Sequence, residues 1–581
     1  MPVHTEPVTD ARYAVVSDEK SGGATYTPKI LADFVAQQIL RQTEEMPEGR
    51  PLRILDPAIG HGELLVSLLE QLPIHSKQNI EIHGFETDQH ALDIAAERLH
   101  QLFPSVSQHL EFGNFLNFVV DYFGSNGNAN LFQSTVPESF DLIIANPPYV
   151  RTQIMGATAA QQLAKQFGLT GRVDLYYAFI LGMSQVLKPK GVAGIIVSNR
   201  FMSTKSGASV RLELSERFNI CHAWDLGDTK LFNAAVLPAV LLVEGKNGSN
   251  QGPPGFTSIY QSDEHPTESA TNPISALNSS GVVEIQDGRS FNVQHGRLDT
   301  SGTSSGIWRI ATEATDKWLE TVEAHSWGTF RDIGKIRVGV KTCADKIFIR
   351  NDWQDTLAGQ RPELLKALTT HHVANRFKPL VTNKPRQIIY PHEVVNGRRR
   401  AVNLTKFPRS QAYFKEHRSE LEGRKYVIEA GREWFEIWVP QDPEAWLQTK
   451  LVFRDISESP TFWLDLDGSV VNGDCYWLVC NKAEETDLLW LAAAIGNSTF
   501  IEHFYDLRFH NKLYSGRRRF ITQYVEKFPL LDPQSRFGKA IVSKAKRIYD
   551  LMPLDDAQQL QKELDALVWR AFGLAVKEPS R

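Results

Sequence analysis

Cysteine is scarce in this chain of 581 residues, and its placement excludes several kinds of site. The four cysteines are Cys221, Cys343, Cys475 and Cys480, and they form no CxxC pair and no Cys/His group with zinc-ligand spacing. We therefore expect reduced, partly buried thiols and no structural metal.

Long apolar runs are also missing, since none reaches the length of a membrane span. The N-terminus, MPVHTEPVTDARY, lacks the basic-then-apolar layout of a secretion signal. We expect a cytoplasmic protein with no membrane partner. The length exceeds what one hydrophobic core serves, which predicts two or three domains.

Excess positive charge is absent overall, because the net charge is -5. Its distribution is uneven: residues 1–250 carry 19 basic and 26 acidic side chains, whereas residues 371–440 carry 14 basic and 7 acidic ones. Aromatic residues lie among these basic ones. This pattern is typical of a polyanion-binding surface, and a merely solvated basic face is the alternative.

The first half of the chain alternates strand-like apolar runs with amphipathic helical segments. Such alternation predicts an α/β fold with a parallel, doubly wound sheet. The predicted strands are LRILD (52–56), IEIHGFE (80–86), DLIIA (141–145), GVAGIIVSN (191–199) and AVLPAVLLVEG (235–245).

The amino-acid composition changes at the turn-rich segment GKNGSNQGPPG, and this change predicts a domain boundary after residue 245. Residues 266–306 are rich in Ser, Thr, Asn and Gly, and we expect an irregular linker over residues 246–306. Residues 307–581 are rich in aromatic side chains. Strands such as KLVFRDI (450–456) and helices such as TDLLWLAAAIGNSTFIEHFY (486–505) predict a mixed α+β domain.

A glycine-rich turn follows the first predicted strand, in the order Asp56-Pro57-Ala58-Ile59-Gly60-His61-Gly62. Glycines at such a turn let a ligand approach the backbone at the start of a helix. It is not a phosphate-binding P-loop, because no Gly-Lys-Ser/Thr follows. A turn required only for packing is the alternative.

Two further strand ends carry polar residues that suit a nucleoside. Glu86 ends the second predicted strand, where a carboxylate can hold a ribose diol. Asn114 follows a third predicted strand, where an amide can bind an adenine edge. The open ligands at this point are NAD, FAD and S-adenosylmethionine.

The strand DLIIA stops at Asn146-Pro147-Pro148-Tyr149. The two prolines remove two backbone donors and fix the backbone just where the strand ends. The segment thus presents an amide, a rigid elbow and an aromatic ring in that order. By itself it could be only a turn that ends a strand.

These residues together resemble the gamma-class, N6-adenine DNA methyltransferases of type II restriction-modification systems. The resemblance rests on GGATYTPKILADFV (22–35), the glycine turn, Glu86 and the Asn-Pro-Pro-Tyr motif, in the family's order and spacing. It is strong to about residue 245 and loose beyond. It implies a Rossmann-like S-adenosylmethionine-dependent catalytic domain at 1–245 and a DNA target-recognition domain at 307–581.

The resemblance assigns cofactor contacts residue by residue. Tyr26 and Thr27 would lie near the methionine portion of S-adenosylmethionine, and Asn114, where the family often has Asp, near its adenine. The full implied set is Tyr26, Thr27, Asp56, Pro57, Ala58, Gly60, Gly62, Glu86 and Asn114.

The implied catalytic residues act on an adenine that has left the duplex. The Asn146 side-chain oxygen and the Pro147 carbonyl, fixed by Pro148, would accept hydrogen bonds from the N6 amine. Tyr149 would stack on the flipped base. Phe232 would cover its other face, although a core phenylalanine is the alternative there.

Basic residues are the candidates for contacts with DNA, and a solvated surface is the alternative for each. The predicted contacts are Arg200, Lys205, Arg398, Arg399, Arg400, Arg508, Lys512, Arg517 and Arg518, with Arg211, Lys450, Arg454, His510, Asn511 and Arg519 as further candidates.

The expected partners are double-stranded DNA and a restriction endonuclease encoded separately, and we expect a monomer. Methyltransferases of the same motif that act on RNA or on a protein glutamine are the enzymatic alternatives. A DNA-binding module without activity is the alternative from another class.

Overall fold

The computed structural model describes residues 27–73, 79–123, 139–149, 167, 174–232, 237–246, 252–300, 303, 306–355, 360–509, 517–554 and 556–576. The chain divides into two compact units, and the second begins at Glu313. Among the described residues, no helix is both long and apolar enough to cross a bilayer.

The first unit is built on one large sheet with helices on its faces. Its strands are β1 (Leu52–Asp56), β2 (Ile80–Glu86), β3 (Ser107–Phe112), β4 (Phe140–Ala145), β5 (Leu187–Ser198), β6 (Phe218–Asp225), β7 (Pro238–Gly245), β8 (Gly255–Gln261), β9 (Glu268–Ala270), β10 (Gly281–Ile285), β11 (Ser290–Asp299) and β12 (Arg309–Ala311). Its helices are α1 (Lys29–Gln42), α2 (Glu63–Gln71), α3 (Gln89–Leu102), α4 (Phe115–Phe123), α5 (Leu175–Val186), α6 (Arg200–Ser203), α7 (Ala208–Arg217) and α8 (Pro273–Ala276).

The central part of this sheet has the strand order β3-β2-β1-β4-β5-β7-β6. Strands β1 to β5 pair in parallel, as the strand-helix alternation predicted. The strand β7 runs antiparallel to both β5 and β6, so the sheet is mixed and not purely parallel. It follows β6 closely along the chain, and strands joined without a crossover run antiparallel.

Alternate residues of these strands face two separate cores, one on each side of the sheet. Ile54 and Leu142 belong to one apolar cluster, and Leu55 and Ile143 to the other. Both faces are therefore covered, which is why the strands are apolar throughout. The polar residues of the motifs stand only where the strands end.

The segment 246–306 corrects an expectation, because it forms strands and not an irregular linker. The strand β8 pairs in parallel with β6, and β11, β10 and β9 continue the sheet beyond it. Phe256, Ile259 and Phe291 are buried in this extension and anchor it to the cores. The compact unit accordingly continues to Thr312, well beyond the predicted boundary after residue 245.

The second unit is mixed α+β, as predicted, and is made of several small sheets and a helical part. Its strands are β13 (Gly328–Thr329), β14 (Arg337–Val338), β15 (Ile349–Arg350), β16 (Leu365–Thr369), β17 (Gln387–Ile389), β18 (His392–Val395), β19 (Arg398–Ala401), β20 (Lys450–Arg454), β21 (Ile456–Ser457), β22 (Phe462–Asp465), β23 (Val470–Val471), β24 (Cys475–Leu478), β25 (Arg518–Arg519) and β26 (Pro529–Leu530). Its helices are α9 (Glu313–His325), α10 (Phe330–Ile333), α11 (Asp345–Phe348), α12 (Pro408–Glu416), α13 (Arg418–Glu422), α14 (Lys425–Glu429), α15 (Asp487–Gly496), α16 (Thr499–Phe509), α17 (Thr522–Val525), α18 (Arg536–Leu551) and α19 (Asp556–Ala571).

Large aromatic side chains fill the core of this unit, and Trp446, Trp463 and Trp477 are fully buried. The helix predicted over 486–505 is broken into α15 and α16. The break has a local cause: the Asn497 side chain accepts from the Phe462 amide at 2.9 Å and donates to the Phe462 carbonyl at 2.8 Å. Asn497 thereby ties the end of α15 to β22.

Candidate active site

The strand ends that carry the sequence motifs are brought to one edge of the sheet. The strand β1 lies between β2 and β4, and all three run in the same direction. Asp56, Glu86 and Asn146 stand at or just after the carboxyl ends of these strands. In open α/β sheets, ligands bind outside that edge.

The glycine turn adopts a conformation that requires glycine. Gly60 and Gly62 have φ of 51° and 79°, in the left-handed region. A Cβ atom built on Gly60 would meet no other atom within 4 Å, so space is open beside the turn. Gly62 directly precedes α2, and the turn therefore leads into a helix N-terminus, where backbone N–H groups face outward.

Asp56 is completely buried beneath this turn. One carboxylate oxygen, Oδ1, accepts from the Ala58 amide at 3.1 Å. The other, Oδ2, is buried and has no hydrogen-bond partner among the residues that the structure describes. Loss of hydration raises the pKa of Asp56 to about 7, and the negative charge of Glu86 adds to the effect. A cationic ligand would relieve this cost.

Glu86 holds the turn from the neighbouring strand. Its Oε2 accepts from the Gly60 amide at 3.0 Å, and its Oε1 accepts from the amides of Thr87 at 2.7 Å and Asp88 at 3.0 Å. Oε1 also accepts from the Thr87 hydroxyl at 3.4 Å, whereas Oε2 accepts from Gly60 alone among the described residues, so Oε2 keeps a position for a ribose hydroxyl. The predicted ribose contact is compatible with this arrangement.

Asn114 caps the helix that follows β3. Its side-chain oxygen accepts from the Leu116 amide at 2.9 Å, at the start of α4. The side-chain nitrogen has no partner among the described residues. Asn114 therefore presents a donor at this edge, where an aspartate would present an acceptor.

Asn146 is positioned by a residue from the N-terminal element. Its side-chain nitrogen donates to the Thr27 hydroxyl at 2.9 Å. With the nitrogen committed to Thr27, the amide presents its oxygen to the other side as an acceptor. Tyr26, the other residue predicted beside Thr27, lies outside the described residues.

Tyr149 closes the motif and packs edge-on against Tyr176, with 6.0 Å between the ring centroids. Its hydroxyl is buried and has no partner among the described residues. Burial raises the pKa of Tyr149, so the hydroxyl stays protonated. The part of Tyr149 that is suited to contact a ligand is therefore the ring and not the hydroxyl.

Phe232 is buried, with 6% of its surface exposed, and belongs to one of the two apolar cores. This position is equally what a core phenylalanine would have, so the stacking role predicted for Phe232 stays a prediction. The loop that leads to Phe232 begins at Asp225, the last residue of β6.

Sequence reasoning missed a network that fixes this loop. Asp225 accepts from the Asn199 side chain at 2.9 Å, the Gly227 amide at 3.1 Å and the Tyr260 hydroxyl at 2.6 Å. Burial raises the pKa of Asp225 to about 6, against the lowering by these hydrogen bonds. Tyr260 lies on β8, in the segment predicted to be irregular, and no local signal links it to Asp225.

The same extension holds the loop at two more points. The Asp228 carboxylate accepts from the Gln261 amide at 2.8 Å, and Arg289 donates to the Thr229 carbonyl at 2.9 Å. Gly227 has φ of 48°, and a Cβ atom there would lie 2.2 Å from the Ile259 carbonyl oxygen. The strands β8 to β11 therefore brace the segment that leads to Phe232.

The basic candidates of the first unit differ in their surroundings. Arg200 is exposed at the start of α6. Arg211 is buried and donates to the carbonyl oxygens of Phe201 and Thr204, so its role is to hold this turn and not to contact DNA. The Lys205 side chain lies outside the described residues.

The second unit separates exposed from paired arginines. Arg398, Arg399 and Arg400 form the exposed strand β19, where Arg400 pairs with Glu393 at 3.0 Å. Arg399 donates to a backbone carbonyl.

Arg508 is half-buried on α16, and Arg517 is exposed just before β25. Arg518 forms two hydrogen bonds with Asp506, at 2.7 and 2.8 Å, and is committed to the fold. Lys450 is buried against Asp465 at 3.0 Å, so it does not read DNA. Lys512 lies outside the described residues.

One group of side chains among the described residues has the spacing of metal ligands, namely Glu81, His83 and His109. Arg53 occupies this group: it donates to Glu81 at 3.0 Å and lies 3.4 Å from the His83 ring nitrogen. Burial and the Arg53 charge lower the pKa of His83 to about 4. A guanidinium already serves as the cation here, and we assign no metal.

Two segments of the chain match known families. Residues 74–232 match the Eco57I restriction-modification methylases, and residues 393–530 match the TaqI-like C-terminal specificity domains. The first match includes β2, which ends at Glu86, and the Asn-Pro-Pro-Tyr motif. The second match includes β19 to β25.

Several relatives match along nearly the whole chain. The type II methyltransferase M.BanIII of Aneurinibacillus aneurinilyticus is 36% identical, over 96% of this chain and 98% of that protein. M.BstVI of Geobacillus stearothermophilus is 24% identical, over 96% of this chain and 97% of that protein. The type IIL restriction-modification enzyme MmeI in complex with DNA shares the fold, with a TM-score of 0.58, 13% identity, and coverage of 95% of this chain and 73% of that one.

Proposed function

This chain belongs to the type II DNA methyltransferases of restriction-modification systems, and we propose that it methylates the N6 amino group of adenine in duplex DNA. The observation that carries the proposal is the placement of Asn146. It follows β4 at the ligand-binding edge, and Thr27 holds its amide so that the oxygen is an acceptor.

The cofactor of these enzymes, and of this chain, is S-adenosylmethionine, and the residues at the sheet edge fit it. When bound, it would supply a methyl group on a sulfonium, whose sulfur becomes a neutral thioether when the methyl group passes to an amine. The buried Asp56 carboxylate suits the cationic methionine portion, and the open side of Gly60 leaves room for it. Glu86 suits the ribose, and the Asn114 amide nitrogen suits an acceptor on the adenine ring.

The chain's own part in the reaction is positioning and polarisation. An exocyclic amine is a weak nucleophile because its lone pair is delocalised into the ring. The Asn146 oxygen and the Pro147 carbonyl would accept the two amine hydrogens and turn the lone pair toward the methyl group. The Pro147-Pro148 elbow keeps the carbonyl fixed. No residue needs to act as a strong base, because the methylated ammonium readily gives its proton to water.

The target base must leave the helix to reach this edge. Tyr149 offers a ring held edge-on by Tyr176, and its hydroxyl has no hydrogen-bond partner among the residues that the structure describes. Stacking on such a ring also favours the positive charge that develops on the base. Phe232, at the end of the braced loop, would cover the second face.

The second unit supplies sequence recognition in this proposal, since residues 393–530 match a specificity domain. Exposed arginines there, Arg398 among them, suit phosphate contacts. The proposed methylation would protect DNA from cleavage by a separately encoded endonuclease. We also propose that the enzyme is a cytoplasmic monomer.

The pH dependence of stability tests the buried acid. Because the pKa of Asp56 is raised from 3.8 to about 7 in the folded state, the ionised form is the one that folding disfavours. The contribution of Asp56 to the free energy of unfolding is therefore largest below the pKa that Asp56 has in the unfolded chain. It is lost as pH rises through about 7, the pKa of Asp56 in the folded state. We expect ligand-free Asp56→Asn to gain stability over the parent between about pH 5.5 and about pH 8, by on the order of 2 kcal/mol.

Urea unfolding of the parent and of Asp56→Asn at the two pH values measures this difference in stability. Titration calorimetry measures the affinity for S-adenosylmethionine, which should fall at least about tenfold in Asp56→Asn. The control is Asp93→Asn, which changes an exposed acid on α3. A stability difference that does not vary with pH would contradict the raised pKa of Asp56.

The decisive test of the function is the product. Labelled S-adenosylmethionine is supplied with plasmid DNA, transfer RNA and bulk protein in parallel, and the labelled nucleosides or residues are identified. N6-methyladenine in DNA alone is the expected result. N4-methylcytosine would retain the fold, cofactor and motif but overturn the base, and label in RNA or protein with silent DNA would overturn the substrate.

A further inference from the structure

A recess in the second unit lies where β20 ends and where β21 pairs with β25. Its volume is about 400 Å³, and its walls include Arg454, Ser457 and Arg517. Ser457 pairs with Arg518 in the β21-β25 ladder, so this short ladder forms one wall. The recess falls within the segment that matches a specificity domain.

Two arginines beside the recess are fully occupied by carboxylates. Arg518 binds both oxygens of Asp506, at 2.7 and 2.8 Å. Arg519 binds both oxygens of Asp455, at 3.0 and 3.3 Å. These arginines hold β25 in place and have their charge balanced by the fold.

The two arginines in the wall of the recess are not balanced in this way. Neither the Arg454 nor the Arg517 guanidinium forms a hydrogen bond or an ion pair with any residue among those the structure describes, and the Nε atom of Arg454 is buried. Arg454 is half-buried, and a guanidinium that loses water without gaining a partner is costly, whereas Arg517 is exposed beside it. The recess therefore favours an anionic ligand.

A hydroxyl group adds a second observation. Ser457 has only 8% of its surface exposed, and its Oγ atom has no hydrogen-bond partner among the described residues. A buried hydroxyl is normally paired. Its place in the wall, beside two unbalanced guanidinium groups, matches what an oxyanion needs: charge, directed N–H donors and an O–H donor.

One acid also lines the recess. Glu458 is exposed, and its backbone carbonyl accepts from Arg518. Two guanidinium groups against one solvated carboxylate leave a net positive recess. This balance suits a singly charged phosphodiester better than a doubly charged phosphate ester.

We propose that Arg454 and Arg517 hold one backbone phosphate of the DNA duplex in this recess, with Ser457 as an added donor. The proposal rests on the proposed function, since it takes DNA as the substrate. Phosphate contacts fix the register of a protein on DNA without reading its sequence. The recess would therefore orient the second unit on the duplex, while other residues read the bases.

Salt dependence of binding to a random-sequence duplex of about 30 base pairs tests this, because each phosphate contact adds about one to the slope of log K against log salt. Fluorescence anisotropy is measured from about 50 to about 200 mM salt. Because both arginines hold the same phosphate, Arg454→Gln and Arg517→Gln should each lower the slope by at most about one and weaken binding about tenfold at low salt, equally for every sequence. Arg454→Lys, which keeps the charge, should recover part of the slope.

The matched control is Lys562→Gln, which removes an exposed positive charge from α19 and should leave the slope unchanged. Arg517 is exposed, so its variant should keep the unfolding midpoint of the parent protein even if Arg454→Gln is destabilised. A parent slope in both arginine variants would overturn the proposal, as would a loss confined to one DNA sequence. A parent protein that fails to bind duplex DNA would instead overturn the proposed function, before any variant is compared.

Discussion

Asn146→Ala is expected to lower methyl transfer at least about 100-fold while S-adenosylmethionine still binds. The substitution removes one of the two acceptors proposed for the amine hydrogens. It leaves intact the buried Asp56 and the Glu86 contacts to the glycine turn, to which we assign cofactor binding in the proposed function. The loss should therefore fall on the rate of the chemical step.

Two further variants separate the acceptor from its support. Asn146→Asp keeps an oxygen in place and should retain more activity than Asn146→Ala. Thr27→Val removes the hydroxyl that Asn146 contacts at 2.9 Å and should cause a smaller loss, through misorientation of the amide. Single-turnover transfer to plasmid DNA gives the rates, and titration calorimetry gives cofactor affinity. Near-normal turnover in Asn146→Ala would remove this residue from the mechanism.

The sheet edge could be predicted from the sequence because its determinants are local. Apolar runs of strand length stop at Asp56, Glu86 and Asn146, and parallel strands present their carboxyl ends at one edge. The structure places these three residues there. The Thr27 contact to Asn146 was not predictable in the same way, because it joins residues that are distant in sequence.

The extension from β8 to β12 could not be predicted because its composition resembles that of a loop. Serine, threonine and glycine dominate the segment, and its strands gain stability from pairing with β6 and with one another. Tyr260 shows the consequence: its hydroxyl reaches Asp225 at 2.6 Å, a contact that depends on how β8 is added to the sheet. Only tertiary structure reveals that the presumed linker supports the loop of Phe232.

In the arginine run at 517–519, too, the role of each residue depends on tertiary contacts that the sequence does not reveal. Two residues that are adjacent in the sequence differ in their contacts, since Arg518 forms an ion pair with Asp506 whereas Arg517 has no ion pair among the described residues. The difference is set by acids brought from α16 and from the end of β20, which a charge count does not detect. The sequence shows where basic residues are concentrated, and the structure separates the arginines that hold the fold from Arg517, which has no counter-charge among the described residues.

Tyr149→Ala is expected to lose most activity, on the order of 100-fold, whereas Tyr149→Phe should stay within a few-fold of the parent enzyme. The Tyr149 hydroxyl is buried without a partner among the described residues, so its removal breaks no bond there. The ring packs at 6.0 Å from Tyr176, and phenylalanine preserves that contact and the stacking face.

Duplexes with 2-aminopurine at the target position, once the site is mapped, report whether the base leaves the stack. Fluorescence should rise with the parent protein and with Tyr149→Phe, and less with Tyr149→Ala, in parallel with turnover. Tyr176→Phe, which keeps the edge-on partner ring, is the control and should behave as the parent. Equal losses in Tyr149→Ala and Tyr149→Phe would mean that the hydroxyl acts on the substrate, because the ring alone would then not account for the activity.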